Sequence, residues 1–363
     1  MPAQFDLPAY RPPDFSDGRF AACPVARTVK AEADGIIPDG YHATSIYPEY
    51  IQTSKGAWKL LSSTRMDCAV VVSADSLEVR EFRRVRKDEA VLVGRSEDGE
   101  EGIYVHTTGF VEGAARGEKF SFHTRRTRET PFSRDYDSMY ELLRHERDNG
   151  KIVWVLGPAL TFDFDSRSAM SGIIDSGYAH AVLAGNALAT HDIEAALYRT
   201  GLGQDIYTKE YRRLGHYHHL DAINTVRRHG SMKSLFEQGL LKDGIVRSCL
   251  KRDIPLVLAG SIRDDGPLPE VIADVYRAQD AMRATVQDAT TVIALATQLH
   301  AIATGNMLPS YQVFGEVVRP VYFYIVDVSE FALDKLANRG SLEVRGIVTN
   351  VQDFLINLQR ALA

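Results

Sequence analysis

Six short apolar runs in the second half of the chain constrain its fold more than any other feature. Lys151–Leu156 stops at Gly157-Pro158, and Ala179–Leu183 stops at Ala184-Gly-Asn-Ala-Leu-Ala189. Ile254–Leu258 stops at Ala259-Gly-Ser-Ile-Arg-Asp-Asp-Gly266, and Thr291–Leu295 stops at Ala296-Thr-Gln-Leu-His300. Val321–Val326 stops at Asp327, and Gly346–Thr349 stops at Asn350. An apolar run that ends in a small or polar turn reads as a buried strand delivering functional groups to a sheet edge. Alternation of such runs with helical patterns predicts an α/β fold, a Rossmann-like doubly wound parallel sheet.

The region before this sheet has a different rhythm. Cys68–Ser73, Leu77–Phe82 and Ala90–Gly94 are short apolar or alternating runs set off by Gly, Pro and Asp. They predict a smaller β-rich domain over 1–135 that precedes the Rossmann-like domain over 136–363. Residues 111–135 are polar, basic and irregular and read as a long loop. Ser138–Asn149 reads as a helix stopped by Gly150.

Composition narrows the function classes. The chain is 45% hydrophobic and 25% charged with a formal net charge of -6, so it does not read as a general nucleic-acid binder. The basic cluster His123–Arg128 is either a solvated loop or a local site for an anionic group. No apolar stretch reaches the ~20 residues that span a bilayer, and Met1–Asp6 is not a signal peptide. Cys23, Cys68 and Cys249 are far apart without metal or redox spacing, which suits reduced, buried thiols in the cytoplasm.

Ligands of open parallel sheets lie just beyond the carboxyl ends of the strands, so the turns hold the candidate residues. The usual Gly-x-Gly-x-x-Gly fingerprint is missing, and Gly201-Leu-Gly203 follows no strand. Gly185-Asn186-Ala187 suits either phosphate at a helix start or a plain turn. Asp327 suits either a ribose hydroxyl partner or a helix cap. In the turn Arg263-Asp264-Asp265, one carboxylate could hold the arginine or cap a helix while the other faces a ligand. His191-Asp192, His216-Tyr-His218-His219 and His300 form a histidine-rich set. It lacks His-x-x-x-His spacing and cysteine partners, so no metal is expected, and acid–base or hydrogen-bonding roles fit better. The nucleophile elbow of serine hydrolases and the Walker loop are both missing.

Four segments together resemble a known family. They are Gly185–Leu197, His218-His-Leu-Asp-Ala-Ile-Asn224, Gly260-Ser-Ile-Arg-Asp-Asp-Gly-Pro-Leu-Pro269 and Thr297–Pro309. They look like the signatures of the archaeal-type ornithine cyclodeaminases, a family that includes the carboxy-terminal module of cyanobacterial bifunctional arginine dihydrolases. It is also labelled by a region shared with lysine-oxoglutarate reductase and saccharopine dehydrogenase proteins. The likeness runs from about Asp34 to the C-terminus and does not extend to an arginine-cleaving amino-terminal domain, which this sequence is expected to lack.

The resemblance implies a tightly held NAD. Its contacts would be Asn186, Ala187, Asp265, Thr297, Gln298, Leu299, His300, Asp327, Asn350 and Val351. It implies a lyase reaction in which a hydride is borrowed from the α-carbon of ornithine and returned, giving proline and ammonia. Asp265 and His219 are the expected acid–base residues, with His191 and Asp192 in support. Arg125, Arg126, Arg263 and His218 are the expected substrate contacts, and a small basic amino acid is the expected partner. The related deoxyhypusine-synthase-like folds suggest a homo-oligomer, a dimer or a tetramer.

Three departures from the family pattern leave the substrate open. Asn350 stands where relatives typically have aspartate, Val326-Asp-Val-Ser-Glu330 stands for their Val-Asp-Ile-Asn-Pro after an insertion-like Tyr311–Pro320, and the loop 120–137 differs. A modified ornithine or arginine is therefore an alternative substrate. A net NAD(H) oxidoreductase and an inactive NAD-binding regulator are alternative functions.

Overall fold

A computed structural model describes residues 5–74, 76–111, 132–329, 331–336 and 341–363. Arg125 and Arg126, with the rest of the basic loop, lie outside the described residues.

Two sheets of the amino-terminal part are built from seven short strands: β1 (Arg27–Lys30), β2 (Glu49–Ser54), β3 (Ala57–Leu60), β4 (Ala69–Val72), β5 (Leu77–Arg80), β6 (Ala90–Val93) and β7 (Ile103–Val105). They form an antiparallel four-stranded sheet, β1-β6-β4-β5, and a three-stranded sheet, β3-β2-β7. Ile51, Leu61, Val70, Leu92 and Ile103 fill one small core shared by the two sheets.

The larger part begins with α1 (Phe132–Asn149), which starts six residues before the predicted helix. It continues through β8 (Ile152–Leu156), α2 (Phe164–Asp175), β9 (Ala181–Gly185), α3 (Asn186–Tyr198), α4 (His218–His229), α5 (Ile245–Arg252) and β10 (Leu256–Ala259). Then follow α6 (Val275–Val286), β11 (Thr291–Leu295), α7 (Gln298–Met307), β12 (Tyr322–Asp327), α8 (Phe331–Leu336), β13 (Glu343–Val348) and α9 (Val351–Leu362). The six strands pair in parallel in the order β10-β9-β8-β11-β12-β13. Numbered by sequence, that is the doubly wound order that reverses direction between its first and fourth strands.

Side chains alternate across the central strands, and both faces are apolar. Ile152, Trp154 and Leu156 pack with residues of α1 to α5 and α9. Val153 and Val155 pack with α6, α7 and α8 on the other face. All five residues of β8 and all five of β11 are buried, so these two strands form the middle of the protein. Burial on both faces is what turns a strand of this kind into a continuous apolar run.

The two parts are joined at the insertion-like segment, which is an antiparallel hairpin of Tyr311–Phe314 against Val317–Pro320. The Tyr311 hydroxyl donates to the Leu61 carbonyl at 2.7 Å, and the Ser310 amide donates to the Thr64 carbonyl at 2.8 Å. Phe5 and Leu7, at the start of the described chain, pack against the core of the larger part. Among the described residues no helix is long and apolar enough to cross a membrane.

Phe323, fully buried on β12, tests the strand assignment. Phe323→Ala is expected to lower unfolding free energy by about 3–5 kcal/mol in denaturant titration, the range for deleting a core aromatic. A loss below about 1 kcal/mol would place that strand outside the core.

Candidate functional site

The carboxyl ends of the six strands form one edge. At its centre β8 and β11 diverge, because the helices that follow them leave on opposite faces of the sheet. The Gly157 amide donates to the Leu295 carbonyl at 2.8 Å, and a Cβ at Gly157 would lie 1.9 Å from the Ala296 carbonyl oxygen. Only glycine permits that approach. Next along the edge, Gly185 leads into α3 in an extended conformation, and no side chain caps the helix start. A Cβ at Gly185 would come within 2.9 Å of Cε1 of His300. The amides of Asn186 and Ala187 thus meet no capping side chain at the switch point, beside the His300 ring, a setting that favours an anionic group.

The neighbouring turns complete the edge. Asn186 Oδ1 accepts from the Leu268 amide at 3.0 Å and from Thr190 Oγ1 at 3.2 Å, holding the 260–268 turn beside α3. Within that turn Asp264 accepts from the Ser261 amide at 2.8 Å, so it shapes the loop. Asp265 and Arg263 are exposed, with no side-chain partner among the described residues. The adjacent carboxylates thus divide into one turn-former and one that is free. Thr297 begins α7 without a side-chain cap, Gln298 Nε2 donates to Ser329 Oγ at 3.2 Å, and Leu299 is 74% exposed. Burial lowers the proton affinity of His300, partly opposed by Asp264, which keeps its imidazole neutral at pH 7.

Other edge positions have local duties. Asp327 Oδ1 accepts from the Ser329 amide at 3.1 Å. Asn350 caps α9 by accepting from the Gln352 amide at 2.8 Å. The Val351 side chain sits in the apolar core, so a ligand at the edge could meet this residue only through its backbone.

A second group lies along α3. His191 Nδ1 is 2.8 Å from Oε2 of Glu194, whose side chain is completely buried. Thr200 Oγ1 donates to Glu194 Oε1 at 2.9 Å and also lies 2.9 Å from His218 Nδ1. Burial pushes the Glu194 carboxyl up, but hydrogen bonds from His191, Thr200 and the Gly203 amide outweigh it and hold it below its usual value. The stabilisation from these bonds is therefore present above the ordinary carboxylate range and is lost only as pH falls through the lowered value.

The network sets two tautomers. An ionised carboxylate only accepts, so His191 donates from Nδ1, and the neutral ring carries its lone pair on Nε2. The single hydroxyl proton of Thr200 is committed to Glu194, so His218 also donates from Nδ1. His218 stacks on Tyr198 with ring centroids 4.8 Å apart. The His219 ring is 6.1 Å from that of His191, and its buried Nδ1 has no partner among the described residues.

His191, His218 and His219 are thus brought together, whereas Asp192 belongs to the scaffold. It is 1% exposed, receives Arg167 Nε at 2.7 Å, and accepts from the Ile245 and Val246 amides at 3.1 and 2.8 Å at the start of α5. Glu194 and Thr200 were missed in the sequence, although His191 and Glu194 sit one helical turn apart, a spacing that marks a pair on one face. Among the described residues no group of three or more His, Cys, Asp or Glu side chains is arranged to hold a metal.

An all-parallel sheet of this order, with small residues and open helix starts at its switch point, defines a Rossmann-type nucleotide-binding class. A family model described as "Arginine dihydrolase ArgZ-like, C-terminal, Rossmann fold" matches residues 138–358. The chain is 41% identical over 336 residues to an ornithine cyclodeaminase of Methanocaldococcus jannaschii, covering 90% of this chain and 75% of the relative. A conserved putative LOR/SDH protein from Methanococcus maripaludis superposes with a TM-score of 0.82 at 36% identity, covering 93% of this chain and 98% of that one. The ternary complex of AgrE with ornithine and NAD+ superposes at 0.58 and 32% identity, covering 94% of this chain and 46% of that one. The chain belongs to the archaeal-type ornithine cyclodeaminase family.

Removing one partner of a buried ion pair strands the other charge. Asp192→Ala is therefore expected to cost about 3–5 kcal/mol of unfolding free energy. Unchanged stability with abolished turnover would instead make Asp192 a catalytic residue.

Proposed function

We propose that this chain is an NAD-dependent ornithine cyclodeaminase that converts ornithine to proline and ammonia. The observation that carries this reading is the coincidence of two features in one member of the family. An open cleft at the sheet's switch point suits a dinucleotide, and a buried His–Glu–Thr–His network borders the same helix.

The residues present fit the cofactor. The start of α3 offers uncapped amides to a pyrophosphate, and Gly157 and Gly185 let the Ala296 carbonyl and the His300 ring pack closely beside it. Thr297, Gln298, Leu299 and His300 begin the next helix of the edge, and Asp327 keeps Oδ2 for a ribose hydroxyl. We include Asn350 and Val351 through their backbone, since their side chains cap and anchor α9. When bound, NAD supplies a hydride acceptor that later returns what it took.

The chain's own residues handle protons and position. His191 Nε2, free because Nδ1 is tied to Glu194, is suited to take a proton from an ornithine amine. His219 is its neighbour and carries a buried ring nitrogen with no partner among the described residues, which supports a role in giving a proton of its own to departing ammonia. Asp265 is suited to bind a substrate ammonium, and Arg263 its carboxylate. His218 presents Nε2 as a hydrogen-bond acceptor for a second amine. Asp192 acts by holding α3 against α5.

We extend the reading to a cytoplasmic homo-oligomer, a dimer or tetramer. Exposed apolar side chains at Tyr207, Tyr211, Leu214 and Tyr217 support self-association.

Purified protein incubated with ornithine and NAD is expected to yield proline and ammonia with no net NADH. Turnover confined to a hydroxylated ornithine or to arginine would overturn the ornithine assignment, and stoichiometric NADH would make the enzyme an oxidoreductase. His191→Asn is expected to lower kcat about 10²–10⁴-fold, the usual contribution of a positioned acid–base group. Glu194→Gln is expected to lower kcat as well and to shift its pH profile, because the amide can present either face to His191.

A further inference from the structure

A hollow lined by many charged side chains lies away from the strand-end cleft. The helix α6 runs from the loop after β10 back to the amino end of β11, and α7 likewise descends to Met307. Residues Asp280, Arg283 and Gln287 on one and Met307 on the other therefore lie toward the amino ends of the strands. The amino-terminal part closes over them to leave a hollow of about 640 Å³.

Its lining carries Arg65, Arg80, Arg83, Arg84, Arg86 and Arg283 against three carboxylates, Glu78, Glu81 and Asp280. The inner four arginines share only two of these. Glu81 meets Arg65 and Arg283 and lies 3.4 Å from Arg84. Asp280 lies 2.5 Å from Arg83, 2.6 Å from Arg84 and 3.2 Å from Arg283. At the rim, Arg80 is held by Glu78 and Glu89, and Arg86 by Asp34.

Four guanidinium groups on two carboxylates leave an excess of positive charge in a partly enclosed space. The Arg65 and Arg283 side chains are only 12% and 11% exposed, so water screens them weakly. Burial lowers the proton affinity of Arg283, and Arg65, Arg84 and Arg83 add to this while Glu81 opposes it. A clamp between two parts of a protein would need neither the surplus cations nor the empty volume. Planar guanidinium forks match the oxygens of phosphate in pairs, and a group with two or more negative charges would balance the surplus.

We propose that this hollow binds a diphosphate group, at a site separate from the strand-end cleft. The proposal does not rest on the ornithine reading.

The test is calorimetric titration of the full chain, saturated with NAD so that the strand-end cleft is filled. Pyrophosphate is expected to bind with one site per chain. The affinity is expected to fall at least tenfold in the double variant R83Q/R84Q, whose side chains are more than a third exposed and not needed for the core. Asp280→Asn, which removes a competing carboxylate, is expected to tighten binding several-fold, whereas a plain ion-pair clamp gives no such gain. That variant keeps the test decisive if the double variant does not fold. ADP binding more tightly than pyrophosphate assigns the diphosphate to a nucleotide, and the reverse assigns it to the free anion. No pyrophosphate binding, equal binding of citrate, or weaker binding in Asp280→Asn would overturn the proposal.

Discussion

The close passage of Gly157 and Ala296 is the constraint on which the rest of the edge depends. Their backbones approach too closely for any side chain at 157, and the Gly157 amide is bound to Leu295. This contact binds β8 to β11 to the very end of the two strands. Beyond it the chain leaves in opposite directions, into the turn Pro158–Phe162 on one side and α7 on the other. A cleft is the unavoidable product, since neither following helix can cover both faces. Gly185 repeats the device one strand away by leaving space that His300 occupies. The fully buried strands beneath hold these turns rigidly, so the cleft is set by the core.

Much of this was legible in the sequence, and the reasons are local. A strand buried on both faces must be apolar throughout, and its end must turn, so the first five strands of the sheet could be read from composition and punctuation, whereas β13, which carries Glu343 and Arg345, was read only from Gly346 onward. The antiparallel runs Ala69–Val72, Leu77–Arg80 and Ala90–Val93 were legible for similar reasons. The hairpin at Tyr311–Phe314 was visible only as an inserted stretch, because its reason for being is the distant partner Leu61. The helix α1 begins at Phe132, inside a polar stretch whose composition gives no helical signal.

The side chains of the candidate site were less legible, because long-range contacts decide their roles. Asp192 and His191 are neighbours in sequence, yet one faces Arg167 and the start of α5 while the other faces Glu194 and His219. The rotation of about 100° between successive residues of one helix separates scaffold from proposed chemistry. Asp264 and Asp265 divide in the same way, one into the turn and one free. Thr200 carried no signal at all, because its meaning comes from lying between Glu194 and His218. The physical consequence is a buried carboxylate that stays ionised and orients imidazoles through their Nδ1 protons. In a low-dielectric setting such a chain is stiff, and its free ring nitrogens are presented without the cost of reorientation.

The central claim is that the cleft holds NAD as a resident acceptor whose hydride returns to the same molecule, while the His191 network handles only protons. Ornithine carrying deuterium at its α-carbon tests this directly. Proline isolated after many turnovers should retain the deuterium at the corresponding carbon, with the NAD content unchanged. Proline that has lost the label to solvent, or label accumulating in free reduced cofactor, would contradict the account.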